Sequence, residues 1–277
     1  MRPEHIKAVV HYSGGLMSWG AAKLACDKYG AENIVLLFSD TGTEDPDVYR
    51  FLVQGAAALG AHLEIVRMNP GGRYMKPWDV ALLRKTIPNW KHNICSGELK
   101  QKPAMRWQNE HLEDGTPLIV GFSIEEQERI DRMKTRKDRY VYEFPLAEKP
   151  YTSVCKIRAW LKELNVEEPR MYAEGFNHAN CNGACFKAGL SHWARLYKER
   201  PEVYAEQERL EKEWQQATGK DMTICMRKGK QLPLSELREL VDAGIIEPSY
   251  YRLPCACGLV PEQLELDLIS INEAKRK

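Results

Sequence analysis

Residues 13–18 (Ser-Gly-Gly-Leu-Met-Ser) have the residue types of a phosphate-binding loop. Gly14 and Gly15 have no side chains, so the backbone N–H groups around them can approach a phosphate closely. A helix beginning near Ser18 would direct its unpaired N–H groups at the same anion, and Ser13 and Ser18 add hydroxyl donors. No Gly-Lys-Ser/Thr sequence follows, so the loop is not of the Walker type. Ordinary turns also use Gly-Gly, and the position after an apolar run favours phosphate binding.

The cysteines are the second group of residues that could do chemistry, and there are eight: Cys26, Cys95, Cys155, Cys181, Cys185, Cys225, Cys255 and Cys257. With no export signal we expect reducing surroundings and therefore no disulfide framework. The closely spaced pairs, Cys181 with Cys185 and Cys255 with Cys257, are interpreted as metal thiolates. Four thiolates suit either zinc or an iron–sulfur cluster. The alternative is that they are small buried hydrophobes, which suits the isolated Cys26 better than the pairs.

The first half of the chain alternates between short apolar runs and helical segments. Strands are predicted at residues 7–12, 34–38, 63–68 and 118–122, with helices at residues 18–29 and 47–59. Alternation of strands and helices predicts an α/β fold with a doubly wound parallel sheet. The phosphate loop would then lie at the carboxyl end of the first strand, where ligands bind in such folds.

The second half changes character and predicts a helical, cysteine-bearing module. Residues 152–165 and 201–218 have the pattern of amphipathic helices, and cysteine-rich segments lie on either side of the second. We therefore expect an α/β nucleotide-binding domain over residues 1–165 and a metal-binding module over residues 166–277. Residues 125–139 hold six basic and five acidic residues and are interpreted as a solvated loop, with a nucleic-acid contact as the alternative.

Composition and the first residues bear on nucleic-acid binding, membrane association and cellular location. The 277 residues are 43% hydrophobic with a net charge of +1, which gives no global argument for nucleic-acid binding. The sequence contains no run of about 18 apolar residues, so no transmembrane helix is predicted. The first residues lack the apolar region of a secretion signal, so we expect a cytoplasmic protein with no membrane partner.

Four segments, spread in order over roughly residues 8–190, together form a recognisable pattern. They are residues 12–18; Phe-Ser-Asp-Thr-Gly at 38–42 with Pro46; Cys-Ser-Gly-Glu-Leu-Lys-Gln-Lys-Pro at 95–103; and Pro-Arg-Met-Tyr-Ala-Glu-Gly at 169–175, which leads to Cys181 and Cys185. Together they resemble the PP-loop superfamily of adenine-nucleotide α-hydrolases, and within it the phosphoadenosine phosphosulfate (PAPS) reductase-like branch, which is related to DNA-phosphorothioating and tRNA-thiolating enzymes. A further segment, residues 121–129, is similar to the family pattern Gly-x-Arg-x-x-Glu-x-x-Arg.

The resemblance implies a site for an adenine nucleotide, either ATP or a sulfonucleotide (PAPS or APS). The residues it implies are Ser13, Gly14, Gly15, Ser18, Asp40, Thr41, Gly121 and Arg129. Asp40 would bind Mg²⁺ or ribose hydroxyls, and Lys100 and Arg129 would neutralise phosphate or pyrophosphate. The alternatives are that Asp40 belongs only to a strand-ending turn and that Lys100 and Arg129 are surface cations.

The resemblance also favours iron–sulfur over zinc. In sulfonucleotide-reducing relatives, cysteines at the position of Cys95 and at the later pair hold a four-iron cluster. The implied ligands of a [4Fe–4S] cluster are therefore Cys95, Cys181 and Cys185, with Cys255 or Cys257 replacing a ligand lost at Ser96. For Cys95 two other roles stay open: a sulfur-carrying nucleophile whose thiolate Lys100 or Arg106 stabilises, and a buried structural thiol.

Departures from the family pattern leave three hypotheses for the function. Met17 stands where many ATP-pyrophosphatases have Asp, Ser123 replaces the first Arg of the segment at residues 121–129, and the tail lacks the Glu-Cys-Gly-x-His element of PAPS reductases. We expect an ATP-dependent enzyme that adenylates an acceptor for sulfur transfer to a nucleobase or nucleic acid, with a cysteine desulfurase or another sulfur donor as partner and Cys95, Asp40 and Lys100 as catalytic residues. The alternatives are a sulfonucleotide reductase and a non-catalytic nucleotide-binding subunit.

Overall fold

The computed structural model describes residues 3–89 and 94–250, so Cys255 and Cys257 lie outside the described residues. A five-stranded sheet forms the centre. Its strands are β1 (Ala8–His11), β2 (Ile34–Asp40), β3 (His62–Arg67), β4 (Pro117–Ile119) and β5 (Val141–Glu143). They are all parallel and lie in the order β3-β2-β1-β4-β5. The predicted α/β fold with a parallel sheet is confirmed.

Helices cover both faces of this sheet. In chain order, the α-helices of the described residues are α1 (Leu16–Tyr29), α2 (Pro46–Leu59), α3 (Pro77–Arg84), the single turn α4 (Ile94–Ser96), α5 (Lys102–His111), α6 (Gln127–Lys134), α7 (Val154–Glu163), α8 (Leu190–Glu199), α9 (Pro201–Thr218) and α10 (Leu234–Asp242). A small hairpin, β6 (Cys225–Arg227) with β7 (Lys230–Leu232), lies between α9 and α10. On one face α5 packs against Val9 and Val35, and on the other α1 and α2 pack against Val10 and Leu36.

Local sequence explains the best-defined boundaries. Helix α2 begins after Asp45, whose side chain accepts the N–H of Asp47 at 2.8 Å, and Pro46 occupies the first helical position. The helix ends at Gly60, which has φ +68°. Strands β1 and β2 are apolar runs buried on both faces, as in other parallel sheets.

The order of the strands locates the place where a ligand is expected. The chain runs from β1 through β2 to β3 on one side and then returns to place β4 and β5 on the other side of β1. In open α/β sheets, ligands bind outside the carboxyl ends of the strands where the direction of winding reverses. That point lies between β1 and β4, and the phosphate loop follows β1.

One hydrophobic core contains residues from both predicted domains. It joins Val10 and Leu36 of the sheet to Trp193 of α8, Trp214 of α9 and Leu237 of α10. The boundary between residues 165 and 166 stays a prediction. Among the helices of the described residues, none has the length and apolar character needed to cross a membrane.

Candidate functional site

The phosphate loop (residues 13–18) is folded by its own serines. The Ser18 hydroxyl accepts the N–H and the hydroxyl of Ser13, both at 3.1 Å, and donates to the carbonyl of Gly15 at 2.9 Å. Gly14 has φ +75°, a conformation that glycine adopts without strain. These contacts fix a tight turn between β1 and the first residue of α1.

Several backbone donors in the phosphate loop lack partners. Within the described residues, no hydrogen bond uses the N–H groups of Gly14, Gly15 or Met17, whereas the Leu16 N–H donates to the Tyr172 hydroxyl at 3.2 Å. The first N–H groups of a helix have no partner within the helix and attract anions. The loop therefore has backbone donors without partners, and their binding of a phosphate stays a prediction.

Gly121 closes the other side of this turn. A Cβ at Gly121 would lie 2.7 Å from the carbonyl oxygen of Met17 and 2.8 Å from the nitrogen of Ser18. Because both atoms belong to the backbone, only glycine allows the segment after β4 to come this close to α1. The structure thus places Gly121 beside the phosphate loop, and its contact with a nucleotide stays a prediction.

Arg129 lies on α6, which follows Gly121 in the chain. Its guanidinium group lies over the ring of Phe122, 4.0 Å from the ring centroid, and forms an ion pair with Glu126. Its side chain is 54% exposed, so in this structure Arg129 is a surface cation. Its predicted role in phosphate binding is untested.

Asp40, at the end of β2, is enclosed by protein donors. Its Oδ1 accepts the Gly42 N–H at 2.7 Å and the Tyr49 hydroxyl at 2.8 Å, and its Oδ2 accepts the Nε–H of Arg67 at 2.7 Å. The side chain has no exposed surface. Binding of Mg²⁺ or a ribose by Asp40 would require the release of one of these contacts, and the role stays a prediction.

The next residues of this turn lead to the cysteines. Thr41 is fully buried, and its hydroxyl donates to Oε1 of Glu44 at 2.9 Å. The other oxygen of Glu44 accepts the backbone N–H of Cys181. Lys100 lies beside the same carboxylate, with Nζ 3.9 Å from Oε1, and donates to Oδ1 of Asn180 at 3.3 Å. Glu44 and Lys100 therefore join the carboxyl end of β2 to the loop that carries Cys181 and Cys185.

Three thiols surround Lys100. Burial opposes the charge of Lys100, but Glu44, Cys181, Cys185 and Cys95 raise its pKa above the ordinary value. Burial raises the pKa of Cys95 to about 11, although the charge of Lys100 acts in the opposite direction. Burial, followed by Glu44, raises the pKa of Cys181 well above its usual range. Lys100 thus acts on Cys95 in the predicted direction, but burial outweighs it and the resting group is a thiol.

The described cysteines do not by themselves form a metal site. Over residues 3–89 and 94–250, no group of three or more His, Cys, Asp or Glu side chains has the geometry to hold a metal ion. The other predicted ligands, Cys255 and Cys257, lie outside the described residues. Binding of iron–sulfur or zinc stays a prediction, and no reaction step below depends on it. Cys155 is disulfide-bonded and not a free thiol, which departs from the expectation of reduced cysteines.

An ionic network around the buried Asp45 holds the loop that carries Cys181 and Cys185 (the cysteine loop) against α2. Asp45 has no exposed side-chain surface and forms ion pairs with Arg170 and Arg200. Arg200 also contacts Asn182, which lies between the two cysteines, and Glu174. The N–H of Arg170 donates to Asp47 at 2.7 Å, which fixes the short 3₁₀ turn Arg170–Tyr172. This turn places the Tyr172 hydroxyl at the start of α1.

Sequence reasoning assigned no role to Glu44 or Tyr172, although both lie in segments that it singled out. Glu44 follows Asp-Thr-Gly by two residues, and Tyr172 lies in the segment at residues 169–175. The available signals were an acidic residue directly before the start of α2 and a tyrosine among turn residues. Neither indicates a partner more than 100 residues away in the chain.

No protein-family model and no curated protein matches the chain. Among solved structures the chain is similar to phosphoadenylyl-sulfate (PAPS) reductase from Candida auris, determined as a phosphate complex. The two chains share 16% sequence identity over 61% of this chain and 78% of that one, with a TM-score of 0.40. A similarity of this degree bears on neither the ligand nor the reaction of this chain.

Proposed function

We propose that this protein is an enzyme of the PP-loop type that binds an adenine nucleotide and adenylates an acceptor for sulfur transfer to a nucleobase or nucleic acid. The observation that carries the proposal is the contact of Glu44 with Cys181 and Lys100. Glu44 follows β2 and the phosphate loop follows β1, so both lie at the carboxyl end of the sheet, and the contact supports a single site for the loop and the thiols near Lys100. Donors for phosphate and groups for sulfur chemistry then serve one site.

The phosphate loop would act on the charged part of the nucleotide. The unpaired N–H groups of Gly14, Gly15 and Met17 would stabilise charge on the phosphates, and Arg129 would add a cation at the rim. Mg²⁺ would supply further charge neutralisation when bound with ATP. An oxygen of the acceptor would attack the α-phosphorus, and pyrophosphate would leave.

The thiols would act in the second half of the reaction. The thiolate is the nucleophilic form of cysteine, and the positive charge of Lys100 favours the thiolate of Cys95 as it forms. A persulfide delivered by a sulfur donor such as a cysteine desulfurase would attack the activated carbon. AMP would leave with the former acceptor oxygen, and a second thiol of the site would then cleave the S–S bond between the transferred sulfur and the cysteine that carried it. The thiolated acceptor would be released with no net change of oxidation state at its carbon, and an external thiol would reduce the disulfide left between the two cysteines.

Release of pyrophosphate from ATP tests this proposal. The protein, ATP, Mg²⁺, cysteine with a cysteine desulfurase, a thiol reductant and a mixed transfer-RNA or DNA acceptor should yield pyrophosphate in proportion to the sulfur incorporated into the nucleic acid. Release of sulfite from PAPS with a thiol reductant would instead identify a sulfonucleotide reductase. Tight binding of ATP without turnover would identify a non-catalytic subunit, and either of these two results would contradict the proposal.

A further inference from the structure

The hydroxyl of Tyr172 lies directly over the phosphate loop. It accepts the N–H of Leu16, the first residue of α1, at 3.2 Å. A Cβ at Gly15 would lie 3.0 Å from the same hydroxyl oxygen. The tyrosine therefore covers the start of α1 where an anion is expected, and it comes from a segment 156 residues further along the chain.

One hydrogen-bonding capacity of this hydroxyl is unused. A phenol donates one hydrogen bond and accepts others. The Leu16 N–H uses an acceptor position, and within the described residues no acceptor receives the Tyr172 O–H. A structural helix cap needs only the acceptor, so the donor is available to a further group beside the loop.

The side chain is also held in place. The 3₁₀ turn that carries it is fixed by the bonds of Arg170 to Asp45 and Asp47, and the Gly175 N–H donates to the carbonyl of Tyr172 at 3.1 Å. A donor on a rigid turn loses little conformational freedom when it binds a ligand.

We propose that Tyr172 is a ligand-contacting residue of the phosphate loop, which donates its hydroxyl proton to an oxygen of the bound phosphate while it accepts the Leu16 N–H. This inference rests on the proposed function, because it names a further contact of the same site. Burial, only partly offset by the Leu16 N–H, raises the pKa of Tyr172 to about 12, so the proton stays on the phenol at neutral pH. A neutral donor at this position adds to the backbone N–H groups without repelling the anion.

The test compares Tyr172→Phe with a matched control, Tyr204→Phe. The Tyr204 hydroxyl donates to the carbonyl of Leu234 at 2.6 Å, so the control also removes one buried hydroxyl, but in α9, away from the loop. Hydrogen bonds to charged groups contribute enough that Tyr172→Phe should weaken binding of inorganic pyrophosphate and ATP about tenfold. Binding of adenosine, which has no phosphate, should be unchanged in both variants.

The outcomes separate this inference from the proposed function. If Tyr172→Phe binds pyrophosphate as tightly as the unmodified protein, the hydroxyl is only a helix cap and the inference is wrong, while the loop assignment stands. If the unmodified protein binds neither pyrophosphate nor ATP, the proposed function fails and takes the inference with it. Should Tyr172→Phe fail to fold, 3-fluorotyrosine at position 172 keeps the hydroxyl. Its ¹⁹F signal should shift on saturation with pyrophosphate, and an unchanged signal would overturn the inference.

Discussion

The carboxylate of Glu44 accepts the backbone N–H of Cys181, a residue 137 positions away in the sequence. Both residues are buried. Glu44 lies in the turn after β2 and Cys181 lies in the loop that follows the Arg170–Tyr172 turn, so this one contact joins the two halves of the candidate site. An unpaired carboxylate at this depth would be costly, and its two oxygens are satisfied by Thr41 and Cys181.

Substitution of Glu44→Gln should destabilise the protein and loosen the cysteine loop. An amide can keep both contacts only with its NH₂ group facing the Thr41 hydroxyl, which can accept as well as donate. In either orientation the negative charge that pairs with Lys100 is lost. We expect the free energy of unfolding in urea to fall by about 1–3 kcal/mol. Glu163→Gln, at the exposed end of α7, should leave it unchanged, and equal stabilities of the two variants would contradict the assigned contact.

Gly121→Ala should damage the phosphate loop through the backbone. The new methyl group would overlap the carbonyl of Met17 and the nitrogen of Ser18, and no rotamer change can relieve a backbone overlap. We expect a loss of about 1–3 kcal/mol in the free energy of unfolding, together with weaker ATP binding. Gly189→Ala is the matched control, because a Cβ there meets no atom within 4 Å. Wild-type ATP affinity in Gly121→Ala would show that α1 can shift without harm to the site.

Cys95→Ser should abolish sulfur transfer while ATP binding is retained. The thiol lies beside Lys100 and outside the phosphate loop, so removal of its sulfur should spare the contacts to phosphate. Cys225→Ser, in the distant hairpin, serves as the control. Loss of iron from Cys95→Ser on metal analysis would indicate a ligand rather than a sulfur carrier. Retention of metal, nucleotide binding and activity together would reduce Cys95 to a packing residue.

The stability of the protein should fall as the pH is lowered from about 6.5 to about 4, in part because of His11. Burial, followed by the charge of Arg136, lowers the pKa of His11 to about 4. In this window the unfolded chain takes up the proton before the folded one does, so the folded state loses stability. His11→Gln, which has no proton to take up there, should lose less stability between pH 7 and pH 5 in urea titrations. An identical loss in both proteins would mean that His11 titrates normally.

Much of the architecture is local in origin and could therefore be predicted from the sequence. The apolar runs of β1 and β2, the Gly14-Gly15 turn and the Asp45-Pro46 start of α2 each show their structure within a few residues. Strand β5 could not be predicted, because it has three residues and its Val141 is half exposed, which leaves no alternating pattern. Helix α1 begins at Leu16 rather than Ser18, because Gly15 is its N-cap residue.

The candidate site was predictable only where its groups are neighbours in sequence. The phosphate loop is one segment, but its contact with Tyr172 spans 156 residues, and no property of Tyr172 alone indicates that partner. Asp40 shows the same limit. Its position after β2 favours a ligand contact, whereas the structure surrounds it with Tyr49 and Arg67, which come from other elements.

The most direct test of the central claim, that residues 13–18 bind the phosphates of an adenine nucleotide, is a calorimetric titration of the protein and of Ser18→Ala with ATP and with adenosine. The Ser18 hydroxyl holds the loop through Ser13 and Gly15, so its loss should weaken ATP binding about tenfold and leave adenosine binding unchanged. Ser153→Ala, which removes the side-chain cap of α7, is the control and should bind ATP normally. The account predicts that the unmodified protein binds ATP far more tightly than adenosine. Equal affinity for the two ligands, or wild-type ATP affinity in Ser18→Ala, would contradict it.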